Sequence, residues 1–107
     1  MGDIIIKGWV ISEKWVRGLR AKLDRLRNRT ADMKRRELVS FAGSLGRYPR
    51  GKHSKEPNFD SELVPNTRSV TIPKGRKINK ITAGKILDQL EHDIFEFENM
   101  LANRGRR

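Results

Sequence analysis

At 107 residues the chain is long enough for one small domain and too short for two well-filled cores. With 36% hydrophobic, 7% aromatic and 35% charged residues it closes a modest core under a polar surface, and the absence of cysteine excludes disulfides, thiolate catalysis, cysteine-ligated zinc and iron–sulfur clusters. Lys and Arg number 24 against 13 Asp and Glu, a formal charge of +11 that points to a polyanionic partner.

The charge is unevenly spread. Residues 12–50 hold 12 basic and 4 acidic side chains and residues 51–80 hold 7 and 3, whereas residues 88–98 carry Asp88, Glu91, Asp93, Glu96 and Glu98 with no Lys or Arg. A basic front and an acidic back are expected. No apolar run approaches the roughly 20 residues of a membrane span, and the start at Met1-Gly2-Asp3 lacks the basic and apolar regions of a secretory signal, so a soluble cytoplasmic protein is expected.

Taken in chain order, Asp3–Ile11 reads as a strand or extended arm, rich in Ile, Trp and Val and broken at Gly8. Ser12 then caps an amphipathic helix over about 13–29, with Trp15, Leu19, Leu23 and Leu26 on one face and Arg17, Arg20, Arg25, Arg27 and Arg29 on the other. Thr30 or Asp32 caps a short helix over about 33–45, with Leu38, Phe41, Ala42 and Leu45 as its stripe and Gly46 as its stop. Between Arg47 and Arg76 four prolines forbid long helices, and the cores around Tyr48, Phe59, Leu63–Val64 and Val70–Ile72 suit a small antiparallel meander, with 55–67 as a connecting loop. Thr82 caps the last helix, over about 83–103, whose Leu87, Leu90, Ile94, Phe97 and Leu101 step by three and four. Ile86, Phe95 and Met100 widen its apolar side enough to meet the N-terminal elements or a second copy.

Chemistry-bearing residues are few. His92 lies among carboxylates and reads as a surface residue, and neither histidine has the spacing of a metal site, so no metal or cofactor is expected. Gly75-Arg76-Lys77 lacks the pattern of a nucleotide-binding P-loop. Tyr48 beside Arg47 and Phe59 near Lys55 could stack on bases, although single aromatics in short strands more often belong to a core. The one suggestive stretch is Arg50-Gly51-Lys52-His53-Ser54-Lys55, free of carboxylates. Glycine lets a backbone approach a phosphate, Arg50, Lys52 and Lys55 can hold it, and the His53 imidazole can move protons at neutral pH. A base for the 2′-hydroxyl and cations for the phosphorane-like charge suffice to cut RNA without metal. Read from residue types alone, such a tripeptide serves as a plain phosphate contact more readily than as a catalytic centre.

The order of parts over about 33–95 resembles the HicA family of mRNA-cleaving bacterial toxins. It runs from Lys34-Arg35 and Arg36-Glu37-Leu38-Val39 to Leu45-Gly46, Gly51-Lys52-His53 and Arg68-Ser69-Val70-Thr71-Ile72-Pro73, and ends on Lys77-Ile78-Asn79-Lys80-Ile81-Thr82-Ala83-Gly84-Lys85-Ile86-Leu87. The family's commonest motif is Gly-Ser-His, where this chain has Lys52 in the middle, and residues 1–32 have no place in the minimal family domain. The resemblance implies an α+β fold related to double-stranded-RNA-binding domains, helix–three-stranded antiparallel sheet–helix, over 33–103, preceded by a strand and helix extension at 1–32 and followed by a basic tail at 104–107. It implies a metal-independent endoribonuclease with His53 as catalytic residue and Gly51 in its motif, Lys74, Arg76, Lys77 and Lys80 extending the RNA track, and an acidic HicB-like antitoxin as partner. Two other readings stand beside it: a non-catalytic RNA-binding module with the same fold, and an assembly protein whose N-terminal strand and Trp-bearing helix pair with a second copy.

Overall fold

A computed structural model describes residues 3–51 and 57–104. Lys7 and Gly8 both have positive φ, +49° and +85°, the pair of values that a two-residue turn needs to match the twist of the strands it joins. The expected single strand is therefore a hairpin of β1 (Ile4–Ile6) and β2 (Trp9–Ile11), with Ile5 opposite Val10. Alternation sends Ile4, Ile6, Trp9 and Ile11 inward and leaves Ile5 and Val10 exposed.

Ser12 accepts a hydrogen bond from the Trp15 N–H at 3.1 Å and starts α1 (Glu13–Arg27). Its buried stripe is Val16, Leu19, Leu23 and Leu26, and Trp15 lies half-buried with its ring 5.0 Å from that of Phe97. A 3-10 turn (Thr30–Asp32) leads to a two-residue strand, β3 (Met33–Lys34), before α2 (Arg35–Ser44). The helix thus starts later than the sequence suggests, and neither Thr30 nor Asp32 caps it. Lys34 is the N-cap residue, and the Glu37 carboxylate reaches back to accept from its N–H at 3.0 Å. Gly46, at φ +86°, ends the helix as expected.

The meander forms as β4 (Arg47–Pro49), β5 (Asn58–Ser61) and β6 (Val70–Thr71), antiparallel in that order. The middle strand occupies part of the stretch expected to be a connecting loop. Phe59 decides this: paired with Pro49 on one side and Val70 on the other, its ring is 1% exposed. Beyond it the Ser61 hydroxyl accepts from the Leu63 and Val64 N–H groups, turning the chain so that both side chains are buried. A last short strand, β7 (Lys77–Ile78), pairs with β3. Asn79 then caps α3 (Lys80–Asn103) by accepting from Ile81 N–H at 2.8 Å and Thr82 N–H at 3.4 Å, so Thr82 sits in the first turn rather than before it.

The result is an α+β fold of three helices and small antiparallel sheets around one core, to which Ile11, Leu23, Phe41, Phe59, Leu87 and Phe97 all contribute. Each such side chain contributes roughly 1.5–3 kcal/mol by leaving water. The acidic back that the sequence suggests is largely consumed within this fold. Arg20 binds Glu91 at 2.8 Å and Glu98 at 3.0 Å, Arg27 binds Asp88 at 2.9 Å and Glu91 at 2.8 Å, and Arg47 binds Asp93 at 2.7 Å. Among the described residues no helix is long and apolar enough to cross a membrane.

The α1–α3 clamp has a pH signature. Hydrogen bonding to Arg20, helped by Arg27, holds the Glu91 carboxyl below the ordinary glutamate range. A depressed folded-state pKa stabilises fully above the unfolded value of about 4.3 and fades as pH falls below it. Between about pH 6 and about pH 3, wild type is expected to lose on the order of 0.5–1 kcal/mol more stability than Glu91→Gln, a small figure because the pair is partly solvated. Asp93, whose carboxyl burial pushes up, is common to both proteins and cancels. Urea titrations at several pH values measure the difference, and identical acid sensitivity would show that the Glu91 carboxylate adds nothing to the clamp.

Candidate nucleic-acid interface

With Asp88, Glu91, Asp93 and Glu98 of α3 engaged, the cationic surplus collects at the start of α2. There the sequence Lys34-Arg35-Arg36 puts three cations in and just before the first turn of a helix, where the exposed N–H groups disfavour positive charge. A neighbouring anion offsets that cost.

These residues line one side of an open cleft of about 720 Å³, with Val39 and Ser40 beside them and Gly75 and Arg76, from the turn between β6 and β7, on the other. The Arg35 N–H donates to the Arg76 carbonyl at 3.1 Å and fixes the turn against the helix. Arg35 is also tied to the sheet: its Nε donates to the Pro73 carbonyl at 3.0 Å, and its guanidinium lies 6.0 Å from the centre of the Phe59 ring. Among the described residues no carboxylate lines this cleft. Lys34, Arg36 and Arg76, gathered round the anchored Arg35, make a site for phosphate or another polyanion.

The residues expected to hold RNA fall into three groups. Arg76 lies in the cleft, and Lys74 is exposed one residue before Gly75 in the same turn. Lys77, on β7, is mostly solvated and pairs loosely with Asp32 at 3.6 Å, while Lys80 is exposed at the start of α3. Arg50 is engaged on the sheet, with its guanidinium on Asp60 at 3.4 Å and on the Ser69 hydroxyl, which itself donates to Asp60. Those contacts, the Ser69 hydrogen bond first, hold the Asp60 carboxyl below its ordinary range. Gly51 is the last described residue before the histidine; Lys52, His53 and Lys55 lie outside the described residues.

The described ends of that stretch are nonetheless fixed. Arg50 N–H donates to the Asn58 carbonyl at 2.8 Å, and Ile72 N–H donates to the Pro57 carbonyl at 2.7 Å. Gly51 and Pro57 therefore flank the end of the sheet that carries Phe59 and leads into Pro73, both of which touch Arg35 of the cleft.

Sequence reading missed Lys34, Arg35 and Arg36 as site residues. Their signal was present, because three consecutive cations at a helix start oppose the helix dipole and call for an anion. His92 is exposed on α3, edge-on to Phe95 at 6.4 Å, as a surface residue should be. Among the described residues no group of three or more His, Asp and Glu could hold a metal. Compared with protein-family models, curated proteins and solved structures, the chain matches none.

Proposed function

We propose that the protein binds RNA through the cleft at the start of α2 and cuts it without metal, in the manner of a HicA-type mRNA interferase, with His53 moving the protons. The observation that carries the binding half is the cationic cleft of Lys34, Arg35, Arg36 and Arg76 beside the sheet end from which Gly51 leaves and to which Pro57 returns. What supports the catalytic half is the Gly51-Lys52-His53 sequence and its place in the order of parts. The succession α2, β4–β5–β6, α3 follows the helix–three-strand–helix order of domains related to double-stranded-RNA-binding modules.

In this mechanism the imidazole takes the proton of a ribose 2′-hydroxyl, the 2′-oxygen attacks the adjacent phosphorus, and the bond to the 5′-oxygen breaks. That oxygen leaves with a proton, giving a cyclic phosphate and a 5′-hydroxyl end. The cleft cations stabilise the charge that builds on the phosphoryl oxygens. An acidic antitoxin of HicB type would act by covering the same cations.

The cleft alone suffices for backbone binding, which favours a non-catalytic RNA-binding module as the second reading. Incubation of labelled RNA in EDTA separates the two. Wild type is expected to cut, and His53→Ala to lose about 10²–10⁴-fold in rate while retaining RNA affinity. Binding by wild type with no cleavage supports the module. Undiminished cleavage by His53→Ala removes the histidine from the mechanism.

A further inference from the structure

Beside the first cleft lies a second, of about 590 Å³, between the C-terminal half of α1 and α2. Arg36 and Ser40 line both, so the two are continuous across the exposed face of α2. From the C-terminal half of α1 the second cleft takes Lys22 and Arg25, three residues apart on one helix face, and from the turn that follows the helix it takes Arg29. Arg20 and Arg27 lie on a different face and are spent on α3.

Within the fold Lys22 Nζ donates to the Ser44 hydroxyl at 3.4 Å and lies 5.9 Å from the centre of the Phe41 ring. Lys22, Arg25 and Arg36 make no ion pair among the described residues. The single carboxylate among the described residues of the lining, Glu37, is already engaged: one oxygen receives Arg29 at 2.8 Å and the other the Lys34 N–H at 3.0 Å. Those bonds, the backbone one first, keep it ionised well below the ordinary glutamate range. Among the described residues seven cations and one committed carboxylate thus line a continuous track. Among the described residues no aromatic side chain lines either cleft, so the track offers charge for a sugar–phosphate backbone rather than a platform on which bases could stack.

We infer that the α1–α2 cleft is a second phosphate-backbone site, which takes the continuation of a structured RNA held at the first cleft. The inference rests on the RNA reading above and adds to it that α1 belongs to the substrate track and that the RNA is read by its backbone over a length spanning both clefts.

The experiment compares wild type, Lys22→Gln/Arg25→Gln in the second cleft and Lys34→Gln/Arg76→Gln in the first. Fluorescence anisotropy follows binding over a range of salt to an RNA hairpin with a stem of about 16 base pairs and to one about a third as long. For the long stem, the α1 variant is expected to lose about tenfold in affinity and to show a log–log salt dependence shallower by about 1.4–1.8, as for two lost phosphate contacts. For the short stem it should match wild type, while the first-cleft variant weakens both. An α1 variant that binds the long stem like wild type, or that weakens both stems equally, overturns the inference and leaves the RNA reading standing. Failure of wild type to bind either RNA, or a first-cleft variant that binds as wild type does, overturns the RNA reading and the inference with it. Arg25→Gln alone, at an exposed position on α1, gives the same test with a slope change of about 0.7–0.9 should the double variant fail to fold.

Discussion

Replacing Arg47 by methionine is expected to destabilise the fold by about 3–5 kcal/mol, the cost of leaving a buried carboxylate without its partner. Arg47 and Asp93 have side chains each 1% exposed. The guanidinium donates to both Asp93 oxygens, at 2.7 and 2.9 Å, and with its remaining nitrogen to the carbonyls of Phe59 at 3.0 Å and Arg68 at 3.1 Å. One side chain therefore joins β4, the middle strand, the approach to β6 and the centre of α3. Burial alone pushes the Asp93 carboxyl up and Arg47 pulls against it, so removal of the arginine leaves a group that must be protonated or hydrated inside the core. The Phe59 and Arg68 carbonyls lose that donor as well. Urea unfolding should show a lower midpoint at an unchanged slope. The double variant Arg47→Met/Asp93→Leu should recover much of the loss, because apolar replacement of a whole buried pair is often neutral or better. A single variant within about 1 kcal/mol of wild type would mean that water reaches Asp93.

This pair marks the limit of what local sequence patterns disclose. Periodicity exposes the stripes of α1 and α3, and Gly8 and Gly46 stand where the chain turns or stops, because those signals are written within a few residues. Asp93 looks like one more member of an acidic surface, and only a partner 46 positions away turns it inward. The same holds for β3 and β7, two residues each, whose pairing moves the start of α2 past the expected caps and draws the start of α3 back to Lys80. Phe59 reads equally as loop or strand until Pro49 and Val70 flank it.

Charge was legible in amount and not in allocation. The helical period of α1 already separates Arg20 and Arg27 from Lys22 and Arg25, but which set meets the acids of α3 depends on how the stripe docks. Once the Leu19–Leu23–Leu26 stripe lies in the core, Arg20 and Arg27 flank it toward α3, and the others are left toward α2. The cleft at Lys34–Arg36 and Arg76 joins residues some 40 positions apart through one backbone hydrogen bond, Arg35 to Arg76, which no local pattern announces.

Gly46→Ala is expected to cost about 2–5 kcal/mol, from two separable causes. At φ +86° an alanine is held in the left-handed region, a strain of about 1–2 kcal/mol. Its methyl would also lie 2.6 Å from a terminal carbon and 2.7 Å from the branch carbon of Leu63. Leu63 is 2% exposed and has little room to swing, so overpacking adds about 1–3 kcal/mol. The neighbourhood is fixed on both sides: the Gly46 carbonyl accepts from the Glu62 N–H at 3.0 Å, and the next residue is Arg47. In a Leu63→Ala background the overpacking disappears and the strain stays, so the increment for Gly46→Ala should shrink to about 1–2 kcal/mol. Chemical denaturation of the four proteins in that cycle measures the coupling. Equal increments in both backgrounds would assign the whole cost to the backbone, and the turn that sets α2 against β4 would then depend on conformation alone rather than on the leucine packed over it.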